Sequence, residues 1–479
     1  MSLLGRVEDA EYKTLVLPEY TGNPLIEALP EKQSQAAVLN SLAIYPDLPD
    51  EFRYTGDALD REEFLIRIDI FRQPLEIYFE VFRDIERAIK QGYCAKNPFS
   101  ATTQHFLHYP VDNRCAVAPD TGRFVSTARG ITLIGESGTG KTTMLEQILL
   151  HFPQVIKHHS YKGDTLGFRD QIVWIKVECP DKSSVRELCL EILLALDEAA
   201  GADITKPESR TSDLMVQIEQ RIKSCNLGLL VIDEMQNIQF ERTSGESGLL
   251  KFIKKIVNSL GVPIVFCANP PFDMTLMRLS QNARRGESGG AYYMNRLAYD
   301  SPSWTAFVSQ LWQLQWTNVH TPLTDALNRK LYDLTVGNID FARRTYTRAQ
   351  RLVMGTGDES ICEAVLQDAY ERECIFSSRS ADTLNAKEEL NQDNNTKSAE
   401  QAKPSSKTRR RQPFIPSVDR PQHPEFYDLL QKVFNSTTLR EDIRDPDEAR
   451  QAKEASCAVT YLREKQLLCD EPLTTKFFD

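Results

Sequence analysis

Several places along this 479-residue chain carry side chains whose types and spacing can do chemistry. The first reads Gly135-Glu136-Ser137-Gly138-Thr139-Gly140-Lys141-Thr142, with Thr143 next, and fits G-x-x-x-x-G-K-[ST]. Its glycines let successive backbone N–H groups turn toward a polyphosphate at the positive end of a following helix. Lys141 is then expected to reach the β and γ oxygens of ATP, and Thr142 to hold Mg²⁺.

The second place is Asp233-Glu234, which ends the apolar run Leu229 to Ile232. Phosphoryl transfer needs a metal held against the β and γ oxygens, and Asp233 can hold Mg²⁺ or its waters. Glu234 is placed to orient and partly deprotonate an attacking water, which a small-molecule kinase would not need. The pair therefore points to hydrolysis. A third signal is Asn269, at the end of the strand Val262 to Ala268, a short polar group able to hold the water or sense the γ phosphate. Beyond it, Arg284-Arg285-Gly286 closes a helix-length stretch. An arginine there reaches a neighbouring subunit's nucleotide in a ring more readily than its own, and there it would offset transition-state charge. Either arginine fits that role.

The elements that must position these groups follow from hydrophobic spacing. Ile131 to Ile134 reads as a strand, and Met144, Leu145, Ile148 and Leu149 recur at helical spacing, so the loop joins a strand to a helix. Strand "QIVWIKVE" (Gln171 to Glu178), a helix opened by the capping box Ser184-x-x-Glu187, and strand "LGLLVIDE" (Leu227 to Glu234) come next. A helix carrying Leu249, Ile253, Ile256 and Leu260 precedes the Asn269 strand. This alternation predicts an α/β fold with a mostly parallel sheet over 71–302. Upstream, Leu75, Tyr78, Phe82, Ile85 and Ile89 mark a helix stopped by Gly92, preceded by a proline-containing arm over 1–70. From 303 to 376 the pattern is all-helical, with Trp304, Phe307 and Leu311 on one stripe. Residues 377–424, rich in Asn, Lys, Ser and Pro, read as a flexible linker, and 425–479 as a short C-terminal segment with some helical pattern.

Composition narrows the classes. A net charge of −11 leaves room for nucleic-acid contact only through a local basic patch. "MSLLGRVEDAEYKT" is too charged for a signal peptide, and no apolar run approaches the ~20 residues that span a bilayer, so a cytoplasmic protein without membrane contact is expected. Ten cysteines without a C-x-x-C pair fit buried thiols better than a zinc site or disulfide framework.

The order of phosphate loop, Asp-Glu strand, polar sensor strand, arginine pair and helical lid resembles the AAA+ ATPase family. More narrowly, the chain resembles the TnsC family, ATP-dependent regulators of cut-and-paste transposons of the Tn-seven type. "TGNPLIEALP" (Thr21 to Pro30), "IKQGYCAKNPF" (Ile89 to Phe99), "HFPQVIKH" (His151 to His158), "LGLLVIDEMQNI", "NARRGESGGA" (Asn282 to Ala291) and "LWQLQW" (Leu311 to Trp316) carry that resemblance, together with the phosphate loop. It implies an ATP-bound homo-oligomer, a ring or short filament on double-stranded DNA, that links a target-site selector to transposase subunits. DNA phosphates would then meet short basic loops inside the ring, the best local candidate being "CPDKSSVRE" with Lys182 and Arg186. The arm and the tail would dock partners. AAA+ lids often carry a sensing arginine in G-x-x-R, whereas Gly337-Asn338-Ile339-Asp340 places a carboxylate there, with Arg343 and Arg344 one turn on. The competing classes are a helicase-loader-like or signalling P-loop NTPase and a small-molecule kinase.

Overall fold

A computed structural model describes residues 5–48, 52–103, 125–166, 170–181, 184–237, 255–270, 272 and 289–373. Lys182, Arg284, Arg285, the 377–424 stretch and the 425–479 segment lie outside the described residues. The chain opens with β1 (Val7–Asp9), α1 (Pro24–Glu27), α2 (Gln35–Leu42), α3 (Phe52–Thr55), α4 (Ala58–Glu63), α5 (Ile66–Ile70) and α6 (Glu76–Cys94). There follow β2 (Gly130–Gly135), α7 (Lys141–His151), β3 (Val155–Lys157), β4 (Asp170–Ile172), β5 (Ile175–Glu178), α8 (Val185–Ala200), α9 (Thr211–Ser224), β6 (Leu230–Asp233), β7 (Ile264–Ala268) and β8 (Gly290–Met294). The helices α10 (Pro302–Gln313), α11 (Asp325–Thr335), α12 (Ile339–Val353) and α13 (Glu363–Glu373) complete the described part.

The central sheet has five strands in the order β5-β6-β7-β2-β8, and every neighbouring pair is parallel. Every residue of β2, β6 and β7 is buried, as expected of strands covered on both faces. Leu230 and Ile232 join the cluster formed with Leu188 and Ile192 of α8, whereas Val231 joins the one with Leu145 and Ile148 of α7. Alternate residues of one strand thus feed two cores.

Two local readings change. Gln171 to Glu178 is not one strand: β4 pairs antiparallel with β3, while β5 joins the central sheet, and the buried Trp174 between them donates its indole N–H to the Phe152 carbonyl at 3.2 Å. Helix α6 runs through Gly92 to Cys94 instead of stopping there. A Cβ on Gly92 would sit 2.7 Å from Pro263 Cδ, so this glycine serves close packing against the strand leading into β7. The N-terminal segment is built into the body of the protein: β1 pairs with β3, and Leu25 and Ile26 are fully buried. Asn23 caps α1 and donates to the Tyr93 carbonyl at 2.9 Å.

A third core holds the C-terminal helices together, with Trp304, Trp316 and Tyr346 joined by Leu65, Ile68 and Phe71 from the α5 region. Arg61 of α4 fixes this junction with a bidentate pair to Glu359, Nη1–Oε2 2.6 Å and Nη2–Oε1 2.7 Å, both side chains buried. Glu359 also accepts from the backbone N–H groups of Asn318 (2.5 Å) and Gly355 (2.9 Å). The Arg61 hydrogen bonds, reinforced by those N–H donors, hold its carboxyl down to about 2. Glu359→Gln leaves Arg61 buried without its counter-charge, and thermal or urea unfolding at pH 7 is expected to show a loss of about 3 kcal/mol. Because the folded pKa is depressed, the carboxylate's contribution is present above its ordinary value of 4.5 and fades as pH falls toward 2. The gap between wild type and variant therefore narrows over that window; a gap independent of pH would contradict the pairing.

Candidate nucleotide site

The phosphate loop leaves the end of β2 and enters α7 with Gly138 at φ +81° and Gly140 at φ +90°, a left-handed region that glycine adopts without strain. Lys141 is almost completely buried, and its ammonium donates to the Glu136 carbonyl at 2.7 Å. Burial lowers its pKa, against the nearby charges of Glu234, Asp233 and Glu136. The Thr139 hydroxyl donates to the same carbonyl at 2.8 Å, so the loop is tied across itself.

The parallel register brings the acidic pair to this loop. Thr142 Oγ1 donates to Asp233 Oδ2 at 2.9 Å, and Asp233 Oδ1 accepts the Glu234 N–H at 2.9 Å. Glu234 is a non-glycine residue at φ +53°, and this turn sets its carboxylate apart from that of Asp233. Its Oε2 accepts from Gln236 Nε2, and Gln236 Oε1 in turn accepts the Asn269 N–H at 2.9 Å. Asn269 Oδ1 is buried without a hydrogen-bond partner. Nothing in local spacing singles out Gln236; only its link between the ends of β6 and β7 reveals it.

The helical segment closes over the loop from the other side. Asn338 caps α12, accepting from the N–H groups of Asp340 and Phe341, and donates through Nδ2 to the Ser137 carbonyl at 3.0 Å. The Asp340 N–H donates to the Gly138 carbonyl at 3.2 Å. A Cβ on Gly138 would lie 2.7 Å from Asn338 Oδ1, so the glycine also admits this approach. Arg343 pairs with Asp69 and, at 3.0 Å, with Asp340, and it lines the cavity above the loop. Arg344 instead donates to the Glu373 carbonyl at 2.7 Å. Of the two arginines one turn past the cap, Arg343 is the one facing the loop.

That cavity, about 370 Å³, is lined by the loop through Thr143, by Glu234 and Asn269, by Arg72 and Tyr78 of the N-terminal part, and by Arg343. A larger cleft of about 900 Å³, between residues 6–13, α2 and the last turns of α7, contains none of the loop glycines, Lys141, Asp233 or Glu234. Glu136 lies at the side of the loop, its carboxylate 2.7 Å from Arg296 Nε. Arg186, at the start of α8 beside the Ser184/Glu187 capping box, is not among the residues lining the cavity; its guanidinium donates to the Glu208 carbonyl at 2.8 Å. The donor set fits ATP and Mg²⁺: loop N–H groups and Lys141 for phosphates, and the adjacent oxygens of Thr142 and Asp233 for a hard cation.

A parallel sheet with a phosphate loop, an Asp-Glu strand end and a helical cover is the AAA+ P-loop fold, and its site is that of an ATPase. A family model described as an AAA domain matches residues 123–276, which include the loop, Asp233-Glu234 and Asn269. Among solved structures, the chain is similar to Cdc6p from Pyrobaculum aerophilum, at 12% identity and TM-score 0.42, covering 68% of this chain and 72% of that one. It is similar also to Drosophila ORC bound to DNA, at 12% identity and TM-score 0.38, covering 71% and 69%. The Aeropyrum pernix ORC2 protein in its ADPNP–ADP complexes gives 13% identity and TM-score 0.32 over 56% of this chain, which spans 66% of that structure's length. No curated protein sequence matches significantly. Among the described residues, no helix is long and apolar enough to cross a membrane.

Lys141→Ala removes the ammonium that offsets the phosphate charge, and titration with a fluorescent ATP analogue is expected to show affinity reduced by about 10²-fold or more. Wild-type affinity in that variant would refute the assignment of this cavity to the nucleotide.

Proposed function

We propose that this protein is an ATP-hydrolysing switch that assembles as a ring or short filament on duplex DNA and links a target-site selector to transposase subunits, as in the TnsC family. The observation that supports hydrolysis best is the chain of contacts Asp233–Glu234–Gln236–Asn269 beside the phosphate loop. Thr142 and Asp233 would hold Mg²⁺ with their oxygens, and the cation would offset charge on the β and γ phosphates. Glu234 accepts a proton from the attacking water, Gln236 keeps the carboxylate aimed, and the unpartnered Asn269 Oδ1 accepts the water's other hydrogen. Asn338 and Arg343 cover the site from the lid.

The transposition part rests on the sequence stretches spread from about residue 20 to 375. Two of them meet in the fold, Asn23 Nδ2 on the Tyr93 carbonyl at 2.9 Å and Asn97 Nδ2 on the Gly22 carbonyl at 3.1 Å. In this reading Lys182 and Arg186 meet DNA phosphates, Arg284 or Arg285 completes a neighbour's site, and segments 1–70 and 425–479 dock partners in the cytoplasm. Purified transposase subunits that fail to bind the ATP-loaded protein on DNA would remove the transposition role and leave the ATPase.

Glu234→Gln keeps shape and hydrogen bonding but cannot take a proton. Phosphate release is expected to fall by about 10²-fold or more, while ATP-dependent assembly on DNA persists; normal hydrolysis would exclude Glu234 as the base. Arg284→Ala or Arg285→Ala should bind ATP normally yet lose up to about 10³-fold in rate. Mixing the affected variant with Lys141→Ala protein should restore activity, because each supplies the half-site the other lacks. Cross-linked mixed oligomers without rescue would rule out a shared site.

A further inference from the structure

Lys176 of β5 is a cation buried against the metal-side carboxylate, and nothing in the proposed hydrolysis uses it. Its side chain is 6% exposed, and its ammonium lies 2.9 Å from Glu146 Oε1 on α7, 3.2 Å from Glu178 Oε1 and 3.5 Å from Asp233 Oδ2. That last oxygen is the acceptor of the Thr142 hydroxyl. One ammonium therefore touches the aspartate beside the phosphate loop and, through Glu146, the helix that begins at Lys141.

We infer that Lys176 is a positioning residue that occupies the place of a divalent cation's charge before nucleotide arrives, holding Asp233 toward Thr142 and keeping free divalent cations off this carboxylate cluster. This rests on the reading of Thr142 and Asp233 as the metal-side oxygens. The physical reason lies in the difference between the three carboxylates. Asp233 is 1% exposed, so without a counter-charge it would be a buried, uncompensated anion. Its Oδ1 is held by the Glu234 N–H, so it cannot turn away. Glu146 and Glu178 are 37% and 66% exposed and can follow the ammonium or turn to water. A dication approaching Asp233 alone meets the repulsion of the ammonium, whereas one arriving with nucleotide brings phosphate charge that outweighs it.

The test is Mn²⁺ binding to the full-length, nucleotide-free protein, followed by electron paramagnetic resonance. Lys176→Met is expected to bind Mn²⁺ at least about tenfold more tightly than wild type, and Lys176→Arg to behave like wild type. Adding Asp233→Asn to Lys176→Met should abolish the gain. With a fluorescent ATP analogue, the Mg²⁺ concentration that half-saturates binding should fall for Lys176→Met and stay unchanged for Lys176→Arg. Equal Mn²⁺ affinity in Lys176→Met and wild type, or an equal gain in Lys176→Arg, overturns the inference. If circular dichroism shows Lys176→Met unfolded, Lys176→Gln carries the same comparison. Failure of the wild type to bind the ATP analogue would overturn the ATPase reading instead, and the Mn²⁺ comparison would still decide the role of the lysine.

Discussion

The site depends on the register of three buried parallel strands. Ile134 of β2 lies opposite Ala268 of β7, and Ile232 of β6 opposite Phe266 of β7, so all three strands end on the same edge of the sheet. Gly135, Asp233 and Asn269 therefore leave the sheet side by side, although the first and last of them lie 134 positions apart in the chain. Side chains alternate along a strand, so a one-residue slip of β6 would turn Asp233 away from Thr142 and expose Leu230 and Ile232 to the wrong core. Burial on both faces makes such a slip costly, and the same apolar packing that forms the sheet thereby fixes the geometry of the candidate site.

The second constraint comes from outside the sheet. The α12 cap sits directly on the phosphate loop through Asn338 and the Asp340 N–H, and the glycine at 138 leaves room for it. The N-terminal part meets the same helical segment through the buried Arg61–Glu359 pair, through Glu62 on Arg351 and through Asp69 on Arg343. The walls of the nucleotide cavity are thus drawn from three distant parts of the chain. Asn338 and the Asp340 N–H couple the lid directly to Ser137 and Gly138 of the loop.

Much of this was legible from spacing. The strand–loop–helix unit, the capping box at Ser184 and the helical stripe of Trp304, Phe307 and Leu311 depend on residues within a few positions of each other, and those features appear in the fold. The misread elements are those where a distant partner overrides local preference. Gly92 reads as a helix stop, yet Pro263 packs against it and the helix continues. Gln171 to Glu178 reads as one apolar strand, yet its halves belong to different sheets, because Trp174 seats its indole on Phe152 between them.

By itself the sequence determined the parts of the site whose chemistry is local: the glycine loop with Lys141 and Thr142, the carboxylates at the end of an apolar run, and the polar residue after the next strand. Backbone conformation and side-chain alternation follow from contiguous residues, and so these can be read in one dimension. Only the tertiary structure decided that Gln236 bridges Glu234 to Asn269, that Asn338 rests on the loop, that Arg343 rather than Arg344 faces the cavity, and that Lys176 lies against Asp233. Each of these is a polar contact between segments far apart in the chain. Its strength depends on a few tenths of an ångström and on exclusion from water, which are set only when the cores on both sides of the sheet have closed.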